Sequence, residues 1–548
     1  MKFISEECAG CGVPATLTCT RCRMARYCCV DHQKAHWSKH KRCCKPYREE
    51  QDEILGRYLV ATQELQPKQI IFIEEPLVVG PKWYLTEPEQ SASIVPCVAC
   101  YTPCRLGKHQ CRSCRWPVCS AACEHESLEC SVLSLGSAAA AKSDARTLHD
   151  SFRHDALLVL KCLLLQQSHP QRWQALLEMQ SHEKERHGTE LQLEADKRIV
   201  SYLQQRFLQR LKQASKQLPP LQYDTELLHR ICGIIETNYM VIELATGVEL
   251  SGLFRQACMM EHACQPNCYF QFDSLTQRIA VRAGGNIKKG EHLKISYTNI
   301  LWGTQMRQHH LRMTKHFGCC CQRCEDPTEF GSYVSAMRCL GDVSKSCVGM
   351  QLPVEPLSEK TQWQCNSCPM LLDAAYVTEV QSHMTAEVER LLAGQPSASQ
   401  VELLLARLSQ LLHPNHFHMF NLKHTLIQLY GHESGLELPM LSAAQLERKL
   451  RLCEELYDVC HRLDPHSIKL AIYVCVILME IAHTLQEQAR RSTGETATQL
   501  QLANSRLLEA QEVLEKETDS VAGKKLHYKL QQDLFELDKL ILHCQSIS

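Results

Sequence analysis

The sequence predicts an α+β chain of several domains: a β-rich core that is split by zinc-ligand modules and a helical insert, followed by an α-helical C-terminal domain. Three observations carry this expectation. Of thirty-three cysteines, 26 gather at positions 8 to 44, 97 to 130, 264 to 324 and 339 to 368, and the final 180 residues hold only four. Segments such as "GRYLVATQELQPKQIIFIEEPLVVG" and "CYFQFDSLTQRIAVRAGGNIKKGEHLKISY" alternate or run apolar between turn residues, as short strands do. From Met370 onward apolar residues recur every three or four positions, as at Val401, Leu404, Leu405, Leu408, Leu411 and Leu412, the pattern of stacked helical hairpins.

A chain of 548 residues is long enough for three or four domains, and 44% hydrophobic with 22% charged residues is an ordinary globular composition. Sixty Lys and Arg against 61 Asp and Glu leave no global charge with which to attract nucleic acid. Only the stretch from Arg21 to Arg48 is basic, with nine Lys or Arg and one acid, Asp31. It contains no recognition helix with base-reading side chains, so direct nucleic-acid binding is not expected. The opening "MKFISEECAGC" has no apolar signal core, and the run "LAIYVCVILMEIA" is short and carries Glu480. Neither export nor a membrane span is expected, and the cysteines are read as nuclear or cytoplasmic metal thiolates rather than disulfides.

The first cluster reads Cys8-x2-Cys11, Cys19-x2-Cys22, Cys28-x3-His32 and His40-x3-Cys44. Each C-x-x-C sets two thiolates on one tight turn, and each x3 pair sets two ligands one helical turn apart; four pairs supply two tetrahedral zincs. A segment this short cannot build its own core and needs the metal to fold. Cys29 and Cys43 are read as spectators. A second cluster repeats the logic with Cys97, Cys100, Cys111, Cys114, Cys119 and Cys123, then His125 and Cys130, with Cys104 left over. In a third, the run Cys319, Cys321, Cys324 needs a fourth ligand from elsewhere, and Cys320, pinned between two ligands, is expected to point away. Cys339, Cys347, Cys365 and Cys368 form a ribbon-like fourth set around "GMQLPVEPL". Together 21 cysteines with His32, His40 and His125 make 24 ligands, enough for about six zincs. The run "HPNHFH", His413 to His418, lacks cysteine or carboxylate partners nearby and is read as a turn between helices.

In this order the pieces resemble the SMYD family, SET-domain lysine methyltransferases that carry a MYND finger, and most closely its arthropod SmydA branch. The first cluster with "HQKAHWSKHKRCC" is similar to a MYND finger, with His32 where the family has cysteine; the second is similar to a degenerate copy. "EHACQPN", Glu261 to Asn267, resembles the methyltransferase signature N-H-S-C-x-P-N, and "ISYTN" the catalytic motif. The resemblance implies a SET β-fold with a pseudoknot-like crossing and a tetratricopeptide-like C-terminal domain. It implies interleaved zinc sites in the first finger, Cys8, Cys11, Cys28 and His32 on one metal and Cys19, Cys22, His40 and Cys44 on the other. It also implies a post-SET zinc on Cys264, Cys319, Cys321 and Cys324. The expected domains are the finger at 1–46, SET at 47–95 and 231–326, the second cluster at 96–132, the helical insert at 133–230, the ribbon at 327–372 and the helical domain at 373–548.

The family chemistry is methyl transfer from S-adenosylmethionine to a lysine amine. Carried over residue by residue, Tyr297 matches the catalytic tyrosine, and Gly56, Arg57, Asn238 and His262 match cofactor-binding positions. Four departures stand beside these. The G-x-G turn reads "GRY", so that Tyr58 brings a side chain where glycine allows close backbone approach. Glu261 replaces an amide donor with an acceptor-only carboxylate, able to meet the cofactor ammonium or Arg57. Met240 and Lys315 replace aromatic residues of the lysine channel, while Phe317 is kept. Two functions follow: an active protein-lysine N-methyltransferase on a histone or other protein, supported by Asn238, His262 and Tyr297, or a transcription or chromatin scaffold with impaired SET chemistry. The four departures favour the scaffold. Protein or peptide partners are expected at the first finger and the helical domain.

Overall fold

A computed structural model describes residues 6–42, 44–82, 94–136, 152–213, 220–244, 246–274, 276–341, 347–492, 496–518 and 520–547. Cys43 lies outside them. The first finger is a hairpin of Leu17–Thr18 with Arg26–Tyr27, followed by the helix Val30–His40. Its interior consists of Cys8, Ala15, Cys19, Tyr27 and Cys44, too few apolar groups to hold a fold without metal.

The β-core is a set of small sheets, as expected of the SET fold. Tyr47–Asp52 pairs antiparallel with Gly56–Ala61, and Gly56 enters its strand at φ +70, a conformation that other residues adopt at a cost. Ile70–Glu74 pairs with Arg278–Ala283, which pairs with Cys268–Asp273. Val78–Pro81 pairs with Glu249–Leu253, which pairs with Met240–Glu243. Strand residues such as Leu59, Phe72, Ile242, Leu250 and Val281 meet in one core. The segment Glu261–His262 lies parallel to Lys294–Ile295. Two strands close in sequence cannot pair in parallel without a crossover, so this pairing threads the "EHACQPN" segment beside "KISYTN". Asn267 pins the crossing, its amide donating to the His292 carbonyl and its oxygen accepting from the Lys294 N–H, both at 2.8 Å.

Between the strand Val78–Pro81 and the helix Thr225–Asn238 the chain makes the second cysteine cluster and a helical insert led by His154–Ser168. Leu158 of that helix packs on Gly80, where a Cβ would stand 2.9 Å from the Leu158 Cβ, so the glycine sets how closely helix and sheet approach. After the SET core come the helix Thr304–Lys315 and an antiparallel four-stranded ribbon, Met337–Arg338, Met350–Pro353, Trp363–Cys365 and Leu371–Leu372, paired in chain order.

The C-terminal domain runs through Ala374–Ala393, Ala398–Leu408, Phe417–His432, Ala443–Leu463, Ala471–Arg491, Thr496–Leu514 and Val521–Ile547. Ser397 with Gln400 and Ser442 with Gln445 form capping boxes that fix two helix starts. The apolar run noted in the sequence is the helix Ala471–Arg491, buried among its neighbours, with Glu480 paired to Lys449 at 2.6 Å. No helix among the described residues is long and apolar enough to cross a membrane. The loop before this helix closes on the SET core: a Cβ on Gly284 would stand 2.2 Å from Ile468, and one on Gly285 2.4 Å from His466.

Candidate functional site: zinc clusters around a SET core

Tetrahedral zinc with Zn–S of about 2.3 Å places its sulfurs about 3.8 Å apart. The cysteines meet that spacing across long stretches of chain. In the first finger the Sγ atoms of Cys11 and Cys28 are 3.6 Å apart, and Cys28 Sγ is 3.0 Å from His32 Nδ1. Cys19 and Cys44 are 3.7 Å apart, with Cys22 3.4 Å from His40 Nε2. The ligand atoms of Cys8, Cys11, Cys28 and His32 lie within 4.8 Å of one another, as do those of Cys19, Cys22, His40 and Cys44. The interleaving expected from the resemblance is therefore the arrangement adopted.

The second cluster sorts the same way, into Cys97, Cys100, Cys119 and Cys123, and Cys111, Cys114, His125 and Cys130. The lengthened His125-x4-Cys130 spacing does no harm, because Cys130 lies in the helix Ser127–Ser134 and reaches Cys111 at 3.6 Å. Cys264 joins Cys319, Cys321 and Cys324, and Cys320 is exposed. In the ribbon, Cys339 faces Cys368 at 3.6 Å and Cys347 faces Cys365 at 3.7 Å. Backbone N–H groups of Gly10, Met24, Gly341, Gly349 and Ser367 donate to ligand sulfurs, as thiolates require. Cys104 instead donates to the Val95 carbonyl. The residues fit zinc, and these are zinc-binding clusters.

Two groups of charged residues behind the ligands were not apparent in the sequence. His125 Nδ1 is 3.5 Å from the buried Glu129, which Lys161 of the helical insert holds at 2.6 Å, a carboxylate behind a metal-binding histidine. Arg307, fully buried, directs Nε to Cys264 Sγ at 3.1 Å and Nη2 to Cys324 Sγ at 3.4 Å, and pairs with Glu329 at 2.7 Å. Arg323 meets the same carboxylate at 3.0 Å. Burial alone would raise the Glu329 pKa; the two guanidiniums overcome it and bring it down to about 2.

The SET motif residues come together around Tyr297. His262 Nδ1 accepts the Tyr297 N–H at 3.0 Å, and its Nε2 is 3.3 Å from Cys264 Sγ. Burial pushes the His262 pKa down to about 4, so the ring is neutral, with its proton on Nε2. Tyr297 donates its hydroxyl to the Met260 carbonyl, and Phe317 stands edge-on to its ring at 6.5 Å.

The cofactor positions are closed on themselves. The Tyr58 ring is buried and stacks on His292, centroids 4.6 Å apart, and His292 Nδ1 meets Glu261 at 2.5 Å. Glu261 thus takes His292 rather than Arg57, whose guanidinium donates to the Glu178 carbonyl at 2.8 Å. The Asn238 amide donates to the carbonyls of Gln180 and Ile234. A ring and a paired carboxylate thus stand at the positions where the motif of S-adenosylmethionine-dependent SET domains offers glycine and an amide.

The family model for the SET domain matches residues 56–298, and that for the MYND finger matches residues 8–44. The SET domain-containing protein SmydA-8, isoform A, of Drosophila melanogaster is 27% identical over 351 residues, covering 60% of this chain and 66% of that protein. Histone-lysine N-methyltransferase SMYD3 of Mus musculus is 25% identical over 279 residues, 49% of this chain and 59% of that protein. Histone-lysine N-methyltransferase SMYD1 of Homo sapiens is 27% identical over 117 residues, 19% of this chain and 24% of that protein. The matches span about two thirds or less of these relatives' lengths. The crystal structure of the SET domain of LSMT bound to lysine and AdoHcy aligns over 93% of this chain and 92% of that one at 10% identity, with a TM-score of 0.29, too low to carry detail across. The chain thus carries a MYND finger ahead of a SET domain and is similar to SMYD proteins, the fly SmydA-8 among them.

Proposed function

We propose that this protein is a zinc-stabilised interaction scaffold of transcription or chromatin regulation, acting in the nucleus and cytoplasm, whose SET core has lost effective methyl transfer. The observation that carries the reading is the closed contact of Tyr58, His292 and Glu261. For S-adenosylmethionine to enter, the Tyr58 ring must leave a buried stack, and its amino-acid end must face a carboxylate already matched to His292. Breaking such a hydrogen-bonded pair costs about 1–3 kcal/mol, roughly ten- to a hundredfold in affinity. Tyr297, His262 and Asn238 then serve the fold: their polar atoms tie the crossing, the post-SET cysteine and the end of the insert together.

The first finger and the helical domain are the partner-binding parts in this reading. On the finger Val13, Val30 and Trp37 are exposed amid the basic residues of 21–48, which suits a short acidic or proline-containing peptide.

Isothermal titration of the zinc-loaded protein with S-adenosylmethionine is the test. The expected result is no saturable heat at micromolar concentration, and measurable binding once Tyr58→Gly is combined with Glu261→Asn. Micromolar binding by the wild type, with methyl label transferred to a protein and lost in Tyr297→Phe, would overturn the scaffold reading and make the chain a protein-lysine methyltransferase.

A further inference from the structure

Lys315 is the last residue of the helix Thr304–Lys315, which ends because His316 adopts the left-handed region at φ +59. Its side chain turns inward rather than into solvent. Nζ donates to the carbonyls of Thr237 at 2.7 Å and Glu236 at 3.3 Å. These belong to the C-terminal turn of the helix Thr225–Asn238, the end at which carbonyls lack intrahelical partners and the dipole favours a cation. The same Nζ stands 5.7 Å from the centroid of the Tyr239 ring and 5.9 Å from that of Tyr297, within the range of cation–π attraction. Two carbonyls and two aromatic faces converging on one ammonium form a recognition site for an alkylammonium, and the alkyl chain within it is a lysine side chain.

Resting on the reading that Tyr297 belongs to the former methyl-transfer site, we propose that Lys315 is the built-in occupant of that site's amine pocket, so that the chain excludes a partner's lysine by presenting its own. The chemistry of the site supports this more directly than a structural ion pair does. The groups in contact with Nζ are carbonyls and rings, the set that selects an ammonium while leaving it desolvated. Burial lowers the Lys315 pKa to about 8, opposed by the Glu236 carboxylate, which keeps the amine mostly protonated at neutral pH. Phe317, exposed, stands edge-on to Tyr297.

Truncating Lys315 to alanine removes the atoms of n-propylammonium, which makes that ion the probe. Isothermal titration with n-propylammonium chloride is expected to show saturable binding to Lys315→Ala at least tenfold tighter than to the wild type or to Lys315→Met, which fills the pocket with a neutral chain. n-Propanol, of the same length but uncharged, is expected to bind weakly. Equal binding by wild type and Lys315→Ala, or none by a Lys315→Ala protein that keeps its zinc and its circular dichroism, would overturn the proposal. A second measurement needs no variant: reductive methylation of the wild type with formaldehyde, followed by peptide mass spectrometry, should modify Lys315 at least ten times more slowly than the exposed Lys288 and Lys289. Labelling of Lys315 at their rate would overturn it equally. Neither measurement involves S-adenosylmethionine, so cofactor binding by the wild type would overturn the scaffold reading and leave the amine result standing, while failure of the amine titration would leave the scaffold reading standing.

Discussion

The imidazole of His262 joins Tyr297 to Cys264: Nδ1 accepts the Tyr297 N–H at 3.0 Å and Nε2 faces the Cys264 sulfur at 3.3 Å. A ring with one acceptor and one donor nitrogen can serve both neighbours only in one tautomer, and a thiolate on Cys264 favours that tautomer. The post-SET metal site is thereby coupled to the crossing of the SET core. Losing the zinc would let Cys264 protonate and release His262, and the Tyr297 amide would lose a fixed acceptor. Hydrogen exchange of the peptide covering residues 294–298 is therefore expected to speed up at least tenfold in Cys321→Ser, a change made over twenty residues away. Unchanged exchange in a variant that has lost one zinc would show the tie to be idle.

The metal content is countable. Twenty-four ligands in six groups of four predict six zincs per chain by plasma mass spectrometry of the purified protein. Each removed cluster should take its own module with it, because the binding energy of a structural zinc is folding energy. Cys19→Ala is expected to make residues 8–44 sensitive to protease while the SET core resists. Two zincs or fewer per chain would refute the ligand map.

The clusters were legible in the sequence because zinc ligands arrive as local pairs: Cys8 with Cys11, or Cys97 with Cys100, share a turn whatever the rest of the chain does. Cys264 was legible only through the family signature, since its partners lie more than fifty residues on. The capped helices of the C-terminal domain were visible as apolar stripes. The contacts that define the SET site were not, because each joins residues distant in sequence through side chains that spacing does not constrain. Glu261 was expected to meet a cofactor ammonium or Arg57, yet it finds His292, 31 residues away, while Arg57 turns to Glu178, 121 away. Lys315 could be read as a missing aromatic residue, but its destination 78 residues upstream could not.

Arg307 tests how much a buried charge behind a zinc matters. A zinc held by four thiolates carries a net charge of about −2, and in a buried site that charge must be met by donors or cations. Arg307 supplies both, with two N–H groups on ligand sulfurs and a third on Glu329. Arg307→Met leaves the sulfurs and the carboxylate short of partners, and removing one member of a buried charge network costs about 3–5 kcal/mol. Lysine is a poor substitute, because a point charge cannot reach three acceptors in a fixed fork. Both variants should lower the urea midpoint, methionine more than lysine. A midpoint for Arg307→Met within error of the wild type would mean that the network contributes nothing net.

The buried histidines of the helical domain predict a pH dependence of that domain's stability. His416 caps the helix Phe417–His432 by accepting the His418 N–H on Nδ1 at 3.2 Å, and His418 Nε2 meets the Thr385 hydroxyl at 2.9 Å. Burial holds the pKa of His418 and of His424 down to about 4, and that of His416 well below its ordinary value, with His418 and His413 adding to the effect. In the unfolded chain the same groups titrate near 6.5, so between pH 6.5 and 4 the unfolded state binds more protons and stability rises with pH. The stabilisation is complete above pH 6.5 and is lost as the pH falls through 4. For His418, which is 2% exposed, the shift corresponds to about 3 kcal/mol across that window. Protonating His416 has a further effect, since its Nδ1 would then present a proton to the His418 N–H and the cap would fail. Hydrogen exchange of residues 417–432 should therefore accelerate steeply from pH 6.5 to 4.5 after correction for intrinsic rates, and His418→Gln should flatten the dependence while keeping a hydrogen bond to Thr385. A pH-independent opening free energy for this helix over that range would show that the histidines are solvated and uncoupled from folding.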